Sequence, residues 1–152
     1  MIFGAADYRR GAAERLAESS VLLKSGNLAG SVYLAGRAVE AMLRAVIWTH
    51  DSQVRLGRKS LETGHDLREL LSHLRNLGLL RRGERDDAFE QRVQRIGRLW
   101  FNNMRFASTR YLETQWVRVG VVRKDRKMKE VSRRFRDDCA AVFERCEALC
   151  RS

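Results

Sequence analysis

The sequence of 152 residues contains no proline. Proline interrupts helix interiors and supports tight turns, so its complete absence favours a mostly helical chain. No apolar run reaches the roughly 18 residues that a membrane-spanning helix needs. The first residues also lack the long apolar core of a secretion signal. We therefore expect no membrane association, and we place the protein in the cytoplasm of a prokaryote-like cell.

Motifs for nucleotide, metal and acyl chemistry are missing as well. The sequence contains neither G-x-G-x-x-G nor G-x4-G-K-[ST], and it has no H-E-x-x-H and no nucleophile elbow. Of the three histidines, His65 and His73 could share a helix face, but two helical turns separate them, which is too far for one metal ion. We therefore expect no metal site and no cofactor.

Cysteine is scarce, and its spacing indicates a core role. Cys139, Cys146 and Cys150 lie seven and four residues apart, which places them on one face of a helix. They continue an apolar series, and no C-x2-C pair accompanies them. The pattern predicts buried, reduced thiols without a disulfide.

Charge of one sign dominates. The net charge is +11, with 25 Arg and 5 Lys, and residues 77–152 hold 19 basic and 11 acidic side chains, a net of +8. A basic domain of this kind suggests an anionic partner such as RNA or DNA, whose surface would lie mainly in the second half. An arginine-rich genome is the alternative explanation.

Apolar periodicity predicts an all-α domain over residues 1–152, a single antiparallel up-and-down bundle of about five helices. The segment 51–64 is expected to be a polar loop. The segment "ETQWVRVGVVRKD" alternates apolar and polar residues like a strand but has no partner strand, so it is expected to be a packed connection outside the predicted helices. The fourth helix is expected to start near a capping box at Asp87 and to continue without a break through Tyr111. The five predicted helices cover about 7–24, 27–50, 64–78, 87–111 and 125–150.

Glu40 and His65 are polar residues for which the sequence allows both a structural and a functional interpretation. Glu40 lies within the nearly all-apolar second helix, between Arg37 and Arg44, and local ion pairing is its simplest explanation. The alternative is that Glu40 faces a polar groove and orients an arginine there. His65, before Asp66, fits an end-capping arrangement better than a base or a nucleotide contact, the roles that the general proton-exchange chemistry of histidine would allow.

The stretch "WFNNMRFASTRY", residues 100–111, is the most distinctive part of the sequence. It places Arg105 and Arg110 among apolar and small residues, with Asn102 and Asn103 about one turn before the first arginine. On a continuous helix the two arginines would point about 140° apart, whereas Asn102 would share a side with Arg105. An amide beside a guanidinium forms a polar notch suited to a phosphate. Solvated arginines, or arginines paired with acids of a neighbouring helix, are the alternative.

Three segments together resemble the HEPN domain (higher eukaryotes and prokaryotes nucleotide-binding). "YLAGRAVEAMLRA" is similar to the A-V-E-x-x-L-[KR]-A signature of that family's second helix, "GHDLREL" is similar to its H-D-L-x-x-L, and "WFNNMRFASTRY" falls where its arginine motif stands. The resemblance implies a compact helical bundle that often forms a homodimer. Many members are metal-independent RNases with an R-x4–6-H motif, and others bind nucleotides or partner small nucleotidyltransferases.

Carried onto this chain, the family arginine corresponds to Arg105. Arg110 stands where a histidine is permitted, Phe106 replaces the usual polar residue, and no histidine follows His73. Arginine does not exchange protons near neutral pH and cannot act as the general base. The resemblance therefore predicts a dimeric, non-catalytic module that binds RNA, a nucleotide or a nucleotidyltransferase-type partner. Its candidate anion-binding residues are Arg105, Arg110, Asn102, Asn103 and His65.

Two other hypotheses remain open at this stage. One is a divergent endoribonuclease of the toxin or phage-defence type, in which His65 is brought to Arg105. The other is a purely structural interaction domain with no anion site. A cleft shared by His65 and Arg105 would favour the ribonuclease.

Overall fold

The computed structural model describes residues 3–61 and 64–152. Every secondary-structure element assigned within these residues is a helix. An all-α fold was predicted and is confirmed. Among the described residues, no helix is both long enough and apolar enough to cross a membrane. The elements are α1 (Ala5–Lys24), α2 (Leu28–His50), α3 (Ser52–Arg55), α4 (Leu67–Asn76), α5 (Glu84–Leu99), a 3₁₀ helix (Asn102–Phe106), α6 (Thr109–Arg118) and α7 (Met128–Arg151).

Helix α2 forms the centre of the bundle. It packs against α1, α7 and α4, and it also contacts the 3₁₀ helix and α6. Apolar side chains cover most of its circumference, as expected for a helix surrounded by other helices. Fully buried members of this core are Val32, Ala35, Ala38, Val39, Met42, Leu43, Val46 and Ile47.

Local sequence signals set the ends of several helices. Gly26 adopts a φ of 82° after α1, and the Asn27 side chain accepts a hydrogen bond from the Gly30 N–H at 3.0 Å, which caps α2. Gly78, with a φ of 69°, follows the end of α4. These boundaries agree with the sequence prediction. The loop predicted for 51–64 additionally contains the short helix α3, capped by the Asp51 side chain.

The predicted fourth helix is wrong in its extent. Helix α5 begins after Gly83 rather than at Asp87, and it ends at Leu99 because Trp100 is extended, with φ −113° and ψ 133°. The chain resumes as a 3₁₀ helix and then as α6, whose N-cap Ser108 accepts a hydrogen bond from the Tyr111 N–H at 3.1 Å. The arginine stretch therefore spans a helix break.

Trp100 provides the physical reason for this break. Its indole is 2% exposed, stacks on Tyr33 at 6.5 Å between ring centroids, and donates from Nε1 to the Tyr33 carbonyl oxygen at 3.1 Å. The ring lies against the backbone of Gly36, where no Cβ occupies the space. Burial of a large ring on α2 thus outweighs continuation of the helix past Leu99.

The segment predicted as a packed connection is also partly helical. Its first half belongs to α6, which ends before Gly120 with a φ of 75°. Trp116 and Val122 are buried, so the alternation in the sequence reflects one apolar side of α6 and its following turn. The prediction that this segment packs on the core is confirmed, whereas the absence of helix is wrong.

The cysteine prediction is confirmed for the core. Cys139 and Cys146 are buried, Cys150 is half-buried, and all three are free thiols. Burial raises the pKa of the Cys139 and Cys146 thiols, which keeps them protonated and unreactive.

A Gly36→Ala substitution tests the close packing of the Trp100 ring against Gly36. A Cβ at this position would lie 2.2 Å from the Trp100 ring, so we expect a loss of roughly 1–3 kcal/mol in the free energy of unfolding. Urea unfolding measures this value. The matched control is Gly11→Ala in α1, where a Cβ meets no atom within 4 Å and should stabilise by roughly 0.5–1 kcal/mol. Equal effects of the two substitutions would contradict the tight contact.

Candidate functional site

A groove opens where α5 ends and α6 begins. Its volume is about 980 Å³, and its floor is apolar, with buried Met104, Leu112 and Trp116. We call it the aromatic groove because three exposed aromatic rings line it. The lining residues at its rim are Arg98, Leu99, Phe101, Asn102, Asn103, Phe106, Ala107, Ser108, Tyr111, Gln115 and Val119.

Of the predicted anion-binding residues in the second half, the two asparagines line this groove, whereas Arg105 and Arg110 are not among its lining residues and directly precede two that are, Phe106 and Tyr111. Asn102 and Asn103 line it, and Arg105 lies beside them in the same 3₁₀ helix. Residues three apart eclipse one another in a 3₁₀ helix, so Asn102 and Arg105 share a side for a different reason than the one predicted. No hydrogen bond between their side chains occurs in the described part of the chain. The predicted 140° between Arg105 and Arg110 is wrong, because Arg110 belongs to α6.

Both arginines are exposed and free of acidic partners. Within residues 3–61 and 64–152, neither Arg105 nor Arg110 forms an ion pair, although many other arginines do. The Arg105 guanidinium instead lies 4.7 Å from the centroid of the Phe106 ring, a cation–π contact. This arrangement leaves the guanidinium donors of Arg105 open to a ligand.

The electrostatic surroundings of the aromatic groove are positive. Its lining includes Arg98 and contains no acidic side chain among the described residues. A neighbouring cavity of about 590 Å³ shares Arg98 and adds Arg126 and Arg134. Its single acid, Asp138, is held by the Arg95 guanidinium at 2.9 Å. An anionic ligand would therefore find net positive charge along both cavities.

A second site surrounds Glu40, about one helical turn beyond Gly36 on α2. The carboxylate is 3% exposed and accepts hydrogen bonds from Arg37 at 2.5 Å and from Arg44 at 2.9 Å, and it lies 2.8 Å from the Nδ1 atom of His65. These residues line a cavity of about 840 Å³ together with Tyr8. We call this arrangement the Glu40 cluster.

The Glu40 cluster also fixes the loop before α4. Arg44, 7% exposed, donates to the carbonyl oxygens of Leu61 and Gly64 at 2.5 and 2.9 Å. A buried guanidinium of this kind needs both the carboxylate and the carbonyl oxygens to offset its desolvation. Local ion pairing of Glu40, the simplest interpretation of the sequence, is thus present. The polar-groove alternative also describes the geometry.

The end-capping arrangement predicted for the pair His65–Asp66 is present, but Asp66 alone forms the cap and the His65 ring takes no part in it. Asp66 caps α4 by accepting from the Arg68 N–H at 2.8 Å, while the His65 ring turns towards Glu40 and Arg37. The Arg68 guanidinium, together with that backbone N–H, holds the pKa of the Asp66 carboxyl below its usual range.

His65 and Arg105 lie at different sites. His65 lines the cavity of the Glu40 cluster, and the lining of that cavity does not include Arg105. Tyr33 of α2 connects the two sites, because it lines the Glu40 cavity and stacks on Trp100, the residue preceding the groove. None of the three cavities described above is lined by both side chains, so these cavities give no support to the ribonuclease hypothesis. Among the described residues, no group of three potential metal ligands converges either.

The sequence analysis missed the three aromatic residues of the groove. Phe101, Phe106 and Tyr111 recur every five residues, and an arginine immediately precedes the last two. This spacing matches neither a helix nor a strand period, and it could have suggested an irregular, exposed segment. The assumed continuous helix instead assigned Tyr111 to a buried stripe, whereas it is 60% exposed.

A Glu40→Ala substitution tests how much the Glu40 cluster contributes to the free energy of unfolding. It leaves the buried Arg44 guanidinium without its carboxylate, so we expect a loss of about 3–5 kcal/mol in the free energy of unfolding, measured with urea. Glu113→Ala removes an exposed carboxylate that has no ion pair in the described structure, and it should change stability by less than about 0.5 kcal/mol. An equally small effect at Glu40 would show that the cluster contributes little to the fold.

Comparison with known proteins agrees with the resemblance in the sequence. The model of the HEPN domain family matches residues 5–147, nearly the whole chain. No curated protein and no solved structure gives a significant match. The matched region contains the Glu40 cluster, the aromatic groove and all helices that form them, and the chain belongs to the HEPN domain family.

Proposed function

We propose that this HEPN domain is a dimeric, non-catalytic binding module whose aromatic groove holds an anionic ligand through Arg105. RNA, a nucleotide and an acidic surface of a nucleotidyltransferase-type partner are the ligand classes that meet this requirement. Family membership supports a nucleotide-binding or RNase-type helical module at a coarser level. The geometry of the groove supports the more specific proposal.

The observation that carries the proposal is the open Arg105 guanidinium. Several arginines elsewhere in the bundle are engaged by acids, as in Arg9 with Glu147 and Arg145 with Asp86 at 2.8 and 2.7 Å. At the groove, Arg105 has no acidic partner within the described residues and contacts the Phe106 ring instead. A guanidinium in this state can form charge-assisted, bidentate hydrogen bonds to a phosphate without first breaking an internal ion pair.

The chemistry of the lining supports binding rather than cleavage. Metal-independent RNA cleavage needs a group that exchanges protons near neutral pH. The described lining contains no histidine and no carboxylate. His65, the histidine considered for this role, lies within hydrogen-bond distance of Glu40 in the other cavity.

Apolar exposure beside the groove supports the dimer. Val117 and Val119 are 54% and 66% exposed, and Val119 lines both the groove and the neighbouring cavity, where it joins Leu99 at the end of α5. Adjacent exposed apolar side chains on a small domain commonly mark an interface. A twofold axis near α5 would cover these side chains and place the two grooves side by side.

Association should therefore depend on the exposed valines near α5. We expect wild-type protein to sediment as a dimer at tens of micromolar, and Val119→Asp to shift it towards monomer, because a carboxylate would be buried in the interface. Val21→Asp is the matched control: Val21 is 65% exposed on α1, and its substitution should leave the sedimentation coefficient unchanged. A monomeric wild type at that concentration contradicts the dimer.

Ligand binding should depend on Arg105. We expect Arg105→Ala to weaken binding of an RNA oligonucleotide by roughly 1.5–3 kcal/mol, the worth of charge-assisted hydrogen bonds, with unchanged urea unfolding. Arg10→Ala removes the same charge from an exposed site on α1 and should have a much smaller effect. Fluorescence anisotropy at several salt concentrations measures both, and wild-type affinity should fall steeply with salt because phosphate contacts release counterions.

Two outcomes would replace the proposal. Cleavage of RNA by the wild type in the presence of a chelator, lost in His65→Ala, would establish the divergent ribonuclease. Unfolding of the protein by Arg105→Ala would establish a structural role for the arginine and favour an interaction domain without an anion site.

A further inference from the structure

The cavity of about 590 Å³ beside the aromatic groove lies between α5, α7 and the turn that precedes α7, and we call it the α5–α7 cavity. Two ion pairs fix the direction of these helices. Arg145 contacts Asp86 at 2.7 Å and Arg95 contacts Asp138 at 2.9 Å, so α5 and α7 run antiparallel and the second pair lies at the cavity. The turn contributes a third wall through Val121.

The floor of the α5–α7 cavity is apolar. Ile96, Val131 and Phe135 line it and are 1%, 5% and 4% exposed, and Val121 is half-buried. These side chains belong to α5, α7 and the turn, so the cavity is enclosed by apolar surface from three directions. A cavity of this size and lining is typical of sites for small molecules, in which a few polar groups orient an otherwise apolar ligand.

Arginines supply the polar groups of this cavity. The four that line it are Arg95, Arg98, Arg126 and Arg134. Arg95 and Arg134 each contact an acid, at 2.9 and 3.0 Å. Within residues 3–61 and 64–152, Arg98 and Arg126 form no ion pair, and Arg126 is half-buried. A partly desolvated guanidinium without a counter-ion favours an anionic ligand, which would offset the cost of its burial.

The combination of an apolar floor and an unpaired cation selects the class of ligand. An inorganic anion would satisfy Arg126 and leave the floor uncovered. An uncharged hydrocarbon would cover the floor and leave the guanidinium without a partner. A ligand with one carboxylate and one aliphatic chain satisfies both requirements, because a guanidinium donates two parallel hydrogen bonds to a carboxylate and buried methylenes gain from leaving water.

We propose that the α5–α7 cavity binds a medium-chain aliphatic carboxylate, with its carboxylate on Arg126 and its chain on Ile96, Val131 and Phe135. Helix α7 advances roughly 10 Å between Val131 and Asp138, about the length of an extended chain of eight carbons. This inference goes beyond the proposed function, since it concerns another cavity and another class of ligand. Arg126 is not among the lining residues of the aromatic groove, so the two sites can be tested separately.

The test titrates the full chain with octanoate, hexanoate and octanol by isothermal calorimetry. We expect octanoate to bind with a dissociation constant of about 1 mM or tighter, a value within reach of a ligand of this size. Hexanoate should bind more weakly by about fourfold for each methylene removed. Octanol keeps the chain without the charge and should bind at least about 10-fold more weakly than octanoate.

Arg126→Ala should weaken octanoate binding by about 10- to 100-fold, the effect of losing charge-assisted hydrogen bonds. The matched control is Arg123→Ala, which removes the same charge from the same turn at an exposed residue outside the lining. Arg123 and Arg126 contact each other through backbone atoms, at 2.9 and 3.0 Å, so both variants keep these bonds and should unfold in urea like the wild type. Arg105→Ala should leave octanoate affinity unchanged.

Three results would overturn the inference. Equal binding of octanol and octanoate would show that the cations do not select the ligand. Equal weakening by Arg126→Ala and Arg123→Ala would show attraction by the overall charge alone. Absence of octanoate binding at about 1 mM would leave the cavity without this ligand, and a shift to monomer in Val121→Asp would then identify it as a surface covered by a second copy.

Discussion

The position of Trp100 on α2 is the constraint on which the arrangement of the second half depends. Gly36 leaves room for the indole, and the Tyr33 carbonyl oxygen satisfies its N–H, so the ring is buried at little polar cost. Because Trp100 must be extended to reach this seat, α5 stops at Leu99 and the chain crosses the bundle surface as a 3₁₀ helix. The exposed arginines and aromatic rings follow from that interruption, since a continuous amphipathic helix would have turned one side of the segment into the core.

The two polar sites of the domain differ in whether their charged side chains are paired with one another. In the Glu40 cluster, one buried carboxylate is saturated by Arg37, Arg44 and His65, and Arg44 also holds the loop before α4. All three nitrogens of the buried Arg44 guanidinium are engaged, which suits a structural link between α2 and α4. At the aromatic groove, cations stand without carboxylates in the described structure and beside exposed rings, which suits a ligand that brings its own negative charge. This contrast supports the groove, rather than the histidine-containing cluster, as the binding surface.

Separation of His65 from Arg105 bears directly on the type of HEPN domain. The histidine is positioned by α4 and Glu40, and the arginine by Trp100 and the 3₁₀ helix, so the two side chains depend on different parts of the bundle. The His65 ring contacts the nearly buried Glu40 carboxylate, and its use elsewhere would lose that contact. A binding role for the groove needs no such rearrangement, because its guanidinium groups and ring faces are already exposed.

The sequence by itself determined the all-α class, the central place of α2, the buried cysteines and the family, since apolar periodicity, small residues and the motifs "AVEAMLRA" and "HDLREL" are local signals. It also indicated the candidate arginines and asparagines. Only the tertiary structure decided how they are displayed. Helical periodicity continues unbroken through Trp100, so no local sequence pattern indicates the helix break. The break arises because the Trp100 indole packs on another helix, α2. The same holds for Glu40, whose contacts with His65 and the loop join residues about 25 positions apart and depend on how α4 packs against α2.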